Sequence, residues 1–440
     1  MACMVCGILF KKARKTQYRI VVKYLKLIST GIMESLFKLD FTSYKKDMYI
    51  LVEGNQKADC FYIIQDGKVR ITREVIVDGE KDEVFGVGDF FGVISTMSSH
   101  RHIETAQAIT DVALIIVHHK QYVPLIQKNS QVAMKIIAQF SKRLRYLNET
   151  LARLTLKKTA ENDVSHLYKV AEYYFGHRQF DQAFYAFTQY LKYCPKGINA
   201  AAASENLAKI KNNPSFTTPM IYGTDESNRT YKRNTMLFAE GEPGDNLYII
   251  KTGSIKITKI VDNSEVLLAM LKPGDILGEM ALLEGKPRAA SAVAYEDCTV
   301  IAVSKDNFEL MAKSQPQLIA KITTLLAERL WLIYKQLANT FLDDPLCRIY
   351  DVLSIQLEKN RIPLDSEDSY TFGFGQWELA NMVGLSDRDS LPIIKKLLED
   401  ENIRLIGDKV RAVSVKELIK QTEYHRKMDK IEKNKQQSRK

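Results

Sequence analysis

Gly278-Glu279-Met280-Ala281-Leu282-Leu283-Glu284-Gly285-Lys286-Pro287-Arg288-Ala289-Ala290-Ser291 is the stretch on which the reading of this chain turns. Upstream, Tyr248 to Ile257 alternates apolar and polar residues after Gly253, as a half-buried strand does. Lys272-Pro273-Gly274-Asp275 then makes a turn. Met280 to Leu283 is a short apolar run, one helical turn long, whose start exposes unpaired N–H groups. Gly278 lets a ligand approach the backbone. Arg288, ten positions on, carries a fork of donors suited to a phosphate. Glu279 is an acceptor suited to a sugar hydroxyl. Together they describe a site for a ribose fused to a phosphate.

The stretch resembles the phosphate-binding cassette of cyclic-nucleotide-binding domains, in Gly278-Glu279-Met280-Ala281-Leu282 and in Pro287-Arg288-Ala289-Ala290. The upstream Glu240-Gly241-Glu242-Pro243-Gly244-Asp245 and Gly253 fit the β-roll of the same family, so the likeness covers residues 230 to 315. The resemblance implies that Glu279 takes the ribose 2′-hydroxyl and Arg288 the cyclic phosphate. Gly278, Met280, Ala281 and Ala289 complete the expected ligand site. The Ala289-Ala290 pair resembles cyclic-AMP sites more than cyclic-GMP sites. A cyclic dinucleotide remains a third candidate.

Composition sets the bounds. The 440 residues suggest about three domains, and 45% hydrophobic residues suffice for real cores. No apolar run reaches the ~18 residues of a membrane span. No basic segment precedes the apolar residues at the start, so a secretory leader is not expected. Six scattered cysteines, of which only Cys3 and Cys6 form a close pair, suit reduced thiols and a cytoplasmic location. The net charge of +10 belongs to the ends. Residues 1–33 hold seven Lys/Arg and no acid, and residues 416–440 hold nine Lys/Arg against four acids. The body retains 47 basic and 49 acidic residues. Such ends are solvated tails or attract nucleic acid or acidic lipid.

Residues 34 to 126 repeat the later roll. Phe61-Tyr62-Ile63-Ile64, Gly67, Gly88-Asp89 and Gly92 match Leu247-Tyr248-Ile249-Ile250, Gly253, Gly274-Asp275 and Gly278, at an offset that settles at 186. Shared spacing across so many turn residues marks a duplication. The chemistry is not duplicated. Val93 stands where Glu279 does, His102 where Arg288 does, and Glu104 replaces Ala290. Two readings follow: a scaffold or dimerisation copy with a lost pocket, or a different anion held by Arg101 and His102.

A long helix follows each roll. Phe140, Leu144, Leu147, Leu151 and Leu154 step by four and three, as do Leu326, Leu330, Ile333 and Leu337. That is a coiled-coil seam, read as the interface of a homodimer, or else as packing on the helix's own roll. In related regulators this helix reaches over the nucleotide, which makes Tyr334 the aromatic best placed to cover a base. Between the copies, Leu167, Tyr174, Ala183, Phe187, Leu191 and Pro195 resemble a tetratricopeptide repeat, with Ala200-Ala201-Ala202-Ala203 opening a further helix. One repeat cannot bury its own face, so it packs on a roll, a second subunit or a protein partner.

Beyond a hinge at Phe341-Leu342-Asp343-Asp344, Pro345 begins a helix. Trp377 to Ser386 reads as helix, turn and cap, with Gly384 in the turn, and Asn402 to Val410 as a two-stranded wing. This part resembles the winged helix-turn-helix of the cyclic-AMP receptor protein family of bacterial regulators. The reading helix would be Asp387 to Glu399, with Asp387, Arg388, Asp389 and Ser390 exposed. Its acids and Pro392 depart from what a DNA reader wants. Arg388 and Ser390 are the base-facing candidates, and Lys395, Lys396 and Lys409 the phosphate contacts. Neither a nucleotide-triphosphate loop, a metal cluster nor a nucleophile elbow is present, so neither an enzyme nor a metal protein is expected.

The expected class is α+β with several domains. A basic extension (1–33) precedes a degenerate roll (34–126), a long helix (127–160) and tetratricopeptide-like helices (161–212). A linker (213–229) leads to the ligand-binding roll (230–313), a dimerisation helix (314–342), a winged helix (345–415) and a basic tail (416–440). The expected function is a transcriptional regulator switched by cyclic AMP, whose ligand draws the second long helix onto Met280 and Arg288. The alternative is a second-messenger receptor that does not touch DNA and signals to a protein through residues 164–212.

Overall fold

Alternating apolar and polar side chains let each roll close as two antiparallel sheets around one core. The computed structural model describes residues 39–54, 58–74, 83–156, 164–213, 216, 222–223, 228–261, 264–385 and 387–437. The basic extension of residues 1–33 and the cap expected at Ser386 lie outside them.

In the first roll one sheet runs Asp40–Tyr44, Val112–His118, Cys60–Asp66, Phe90–Phe91, and the other Tyr49–Leu51, Thr105–Ala108, Val69–Thr72, Glu83–Phe85. Leu51, Ile64, Val69, Ile71, Phe91 and Leu114 are buried together in its core. In the second roll the sheets run Ile276–Leu277, Asn246–Thr252, Cys298–Ser304, Asn228–Tyr231, Tyr222–Gly223 and Met236–Phe238, Ser291–Ala294, Ile255–Val261, Ser264–Leu271. The registers repeat. Tyr62 pairs with Phe91 as Tyr248 pairs with Leu277, and both copies bulge at the same place, between Ile64 and Asp66 and between Ile250 and Thr252.

The helices are α1 (Val93–Ser98), α2 (Tyr122–Lys128), α3 (Ser130–Leu156), α4 (His166–Gly176), α5 (Phe180–Tyr193), α6 (Ala200–Lys211), α7 (Glu279–Glu284), α8 (Lys305–Ser314), α9 (Pro316–Thr340), α10 (Pro345–Lys359), α11 (Gln376–Met382), α12 (Asp387–Leu398) and α13 (Val415–Gln437). Two compact units form among the described residues. One comprises those up to Tyr122 together with those from Ala327 onward, and the other Val123–Leu326.

Within Val123–Leu326, α4 and α5 form an antiparallel pair with α6 against α5. Leu167, Tyr174, Ala183 and Phe187 are fully buried there, in one cluster with Met236, Ala239 and Val293 of the second roll. The apolar face that a lone helical hairpin cannot cover is thus covered by the neighbouring roll. Helix α3 packs on α7, so the long helix over the second roll's short helix is the one that follows the first roll. A 27-residue helix spans about 40 Å, which is reach enough to leave its own roll.

The seam read as a dimer interface follows the other reading, packing within the chain, at its buried positions. Leu326, Leu330, Ile333 and Leu337 of α9 are between 0 and 4% exposed within the single chain. Phe140, Leu144 and Leu147 of α3 are likewise buried, while Leu154 is exposed. A surface already covered is not offered to a second subunit.

In the other unit, Asp344 caps α10 by accepting the amides of Leu346 and Cys347, ahead of Pro345. The C-terminal module packs α10, α11, α12 and α13 with a sheet ordered Tyr370–Thr371, Lys409–Ala412, Ile403–Ile406. The expected hairpin turns at Gly407, whose φ is 64°, and the edge strand at Tyr370 had no sequence signal. Among the described residues no helix is long and apolar enough to cross a membrane.

Candidate functional site

The second roll's site is built on Gly278. It caps α7 with a left-handed φ of 79°, a conformation that costs glycine little. Strand Asn246–Thr252 and the segment before Ser291 bring Arg288 back to that cap. Arg288 Nη1 donates to the Gly278 carbonyl at 2.6 Å, and Nη2 to the Asn246 carbonyl at 2.7 Å. Its guanidinium lies 4.3 Å from the Phe238 ring centroid and 5.8 Å from that of Tyr248, within reach of the ring quadrupoles. The backbone is braced as well: Gly241 N–H donates to Arg288 O, and Arg288 N–H to Glu242 O.

Two glycines make room for this guanidinium. A Cβ at Gly244 would sit 2.4 Å from Arg288 Cζ and Nε, and one at Gly278 2.4 Å from Nη1. Arg288 is 4% exposed, Nε has no hydrogen-bond partner among the described residues, and no carboxylate lies within ion-pair distance. A buried cation without a counter-ion is costly, and an anion at this cradle would offset that cost. Glu279, the first residue of α7, is 2% exposed, and Ala281 is 1% exposed. Met280 and Ala289 are partly buried. The donor set therefore fits a small anionic sugar ester.

Glu242 marks the outer wall. Burial pushes its carboxyl up to about 6, while the Ala239 amide, the Tyr185 hydroxyl and the Arg288 charge pull it down. Burial also raises the Tyr248 phenol, against the pull of Arg288. Helix α3 closes the same wall: Arg145 donates to the Pro287 carbonyl at 3.1 Å, one residue before Arg288. Neither Arg145 nor Tyr185 had a motif to announce it, since both come from segments distant in sequence. Phe238 and Asn246 were equally silent, whereas Gly244 stood inside the Glu240–Asp245 motif.

Tyr334, expected over a base, lies in the unit of the first roll, with the Arg73 guanidinium 5.3 Å from its ring centroid. The first roll repeats the backbone but not the charge. Gly92 caps α1 at the same φ of 79°, but Val93 follows it. Burial holds the His102 imidazole below its ordinary value, although Glu104 pulls it up. Neutral at pH 7, it offers no charge to an anion, and Arg101 is exposed.

In the C-terminal module Lys395, Lys396 and Lys409 are exposed. The side chain of Arg388 lies outside the described ones. Ser390, expected to face outward, is 1% exposed. With Ile394 and Leu397 it forms an i, i+4, i+7 stripe, which places it on the core face of α12. The outer face of α12 instead shows Leu391, 60% exposed, beside a cleft of about 430 Å³ that Lys395, Glu399 and Trp377 of α11, 47% exposed, also line. Among the described residues no group of three or more His, Cys, Asp or Glu is placed to hold a metal.

The family model described as the cyclic nucleotide-binding domain matches residues 41–129 and 228–315. The chain therefore carries two cyclic nucleotide-binding domains, one per roll. The cAMP-activated global transcriptional regulator CRP of Salmonella typhimurium is 29% identical over 175 residues, covering 39% of this chain and 82% of that one. A CRP-like cAMP-activated global transcriptional regulator of Mycobacterium tuberculosis is 29% identical over 157 residues, 36% of this chain and 70% of that one. Among solved structures, the Thermus thermophilus catabolite activator protein is 27% identical and aligns over 45% of this chain and 89% of its own, with a TM-score of 0.25.

Proposed function

We propose that this chain is a cyclic-nucleotide-responsive transcriptional regulator whose second roll is the sensor. Arg288 takes the cyclic phosphate and Glu279 the ribose hydroxyl, with Gly278, Met280, Ala281 and Ala289 lining the site. Cyclic AMP is the first candidate ligand, as it is for the named relatives. The observation that carries the reading is the buried guanidinium of Arg288 inside a glycine cradle, with no carboxylate within ion-pair distance among the described residues. The C-terminal module, read as a winged helix, is the output, with Lys395, Lys396 and Lys409 on DNA phosphates.

The test is calorimetry with cyclic AMP, cyclic GMP and a cyclic dinucleotide. Arg288→Ala is expected to cost roughly 1.5–3 kcal/mol, about a ten- to hundredfold loss of affinity. Equal affinity in wild type and variant would remove the site.

A second reading has one observation in its favour. Beside one cleft, α12 offers Leu391 and α11 offers Trp377, where a base reader would carry polar side chains. Exposed apolar side chains of this kind suit a protein partner better than a duplex. DNA affinity that rises with ligand and falls steeply with salt favours the first reading. A ligand-loaded chain that ignores DNA in dilute salt favours the second.

A further inference from the structure

The first roll differs from the second in what fills the position of the anion. Glu104, 4% exposed, accepts the Gly92 amide at 2.7 Å and pairs with Arg73 Nη2 at 2.9 Å. Arg73 is paired a second time, with Glu83 at 3.3 Å. Its guanidinium faces the Tyr334 ring, and Trp331 of the same helix stacks on His100 with ring centroids 3.7 Å apart. Trp331 is 1% exposed and His100 8%. An internal carboxylate thus lies at the glycine cap, and two aromatic side chains of α9 close over the roll.

The same roll holds the C-terminal module. Arg361, just past the end of α10 with a left-handed φ of 59°, donates to Ser98 O at 2.6 Å and Ser99 O at 3.1 Å. These are carbonyls at the C-terminal end of α1, where a cation is favoured. Arg361 also pairs with Glu328 of α9 at 3.1 Å. A further exposed pair joins Lys430 of α13 to Glu74, the neighbour of Arg73.

We propose that the first roll takes no nucleotide: Glu104 occupies the glycine cap from within, Trp331 and Tyr334 of α9 close over the roll, and the roll serves as the seat on which Arg361 latches the C-terminal module. The two copies then divide the work, one sensing and one holding the output. The proposal concerns the first roll alone and stands whichever ligand the second roll takes.

Two measurements on the full chain test it. Calorimetry with cyclic AMP is expected to give one site per chain, weakened about ten- to hundredfold in Arg288→Ala. Two sites, or one whose affinity is unchanged in Arg288→Ala, would overturn the closed first roll. Absence of all binding would sink the sensor reading above and leave the closed roll standing.

The seat is read by hydrogen exchange. In Arg361→Ala the amides of residues 93–100 are expected to exchange at least tenfold faster, with cyclic AMP affinity changed less than twofold. Arg361→Gly relieves the left-handed backbone while removing the same side chain, and should give the same acceleration. Unchanged protection in both variants would overturn the latch.

Discussion

The Tyr185 hydroxyl lies 3.1 and 3.0 Å from the two carboxylate oxygens of Glu242, and so ties the helical insert to the wall of the second roll's site. Glu242 receives the Arg288 amide at its own carbonyl, so one residue separates the insert from the proposed phosphate contact. His166 of α4 repeats the theme at Glu240, 3.4 Å away. Arg288 is therefore joined to α5 through one residue, Glu242.

Glu242 supplies a pH signature. Its folded pKa of about 6 lies above the ordinary 4.5, so between those values the folded state binds the extra proton. Its contribution to stability is greatest below about pH 4.5, falls as pH rises to about 6, and is flat beyond. The expected loss across that window is about 2 kcal/mol. Denaturant unfolding of wild type and Glu242→Gln at both ends checks it: the variant, which keeps an acceptor for Tyr185, should lack this fall. Parallel curves would show that Glu242 titrates normally.

Gly244→Ala tests the cradle without touching a charged group. The backbone there is not left-handed, so the effect is steric and falls on Arg288, 2.4 Å from the added carbon. Strain from overpacking is typically about 1–3 kcal/mol. Cyclic AMP affinity is expected to fall about tenfold or more, while the first roll's unfolding is unmoved. Wild-type affinity in this variant would show that Arg288 is free to move away.

Asp351 should be among the costliest positions in the C-terminal module. It is 2% exposed and holds Arg426 Nε at 2.7 Å and Asn339 Nδ2 at 2.9 Å, linking α10, α13 and the end of α9. Asp351→Ala leaves the half-exposed Arg426 and the buried Asn339 amide without this acceptor, for which about 1–3 kcal/mol is expected. Asp111→Ala, which breaks an exposed pair with Lys45, should cost under about 1 kcal/mol. Equal melting shifts in the two variants would contradict the burial argument.

The covered α9 seam predicts a particle of one chain. Sedimentation at micromolar concentration is expected to give about the 50.3 kDa of a single chain. Leu330→Asp should unfold the protein instead of converting a dimer to a monomer, because a charge would enter a fully buried site. A wild-type mass twice as large, halved by that substitution, would restore the dimer.

Local chemistry was legible in the residues. The glycine at 278, its repeat at 92, the turn glycines and the strand alternation all report backbone conformation, which a short window specifies. The same holds for the cassette itself, where Gly278 and Arg288 are ten residues apart and meet as read. Even the loss of charge in the first copy was visible at Val93 and His102.

What tertiary structure alone decided was which distant segment covers which surface. The heptad pattern of α3 and α9 announces a face to be buried but carries no address. Hence α3 reached α7, and Tyr334 went to Arg73. Ser390 turned inward for the same kind of reason, since helix phase is set by which neighbour the stripe meets. Hydrophobic burial is non-directional, so a sequence states that a face will be covered, and only the folded chain states by what.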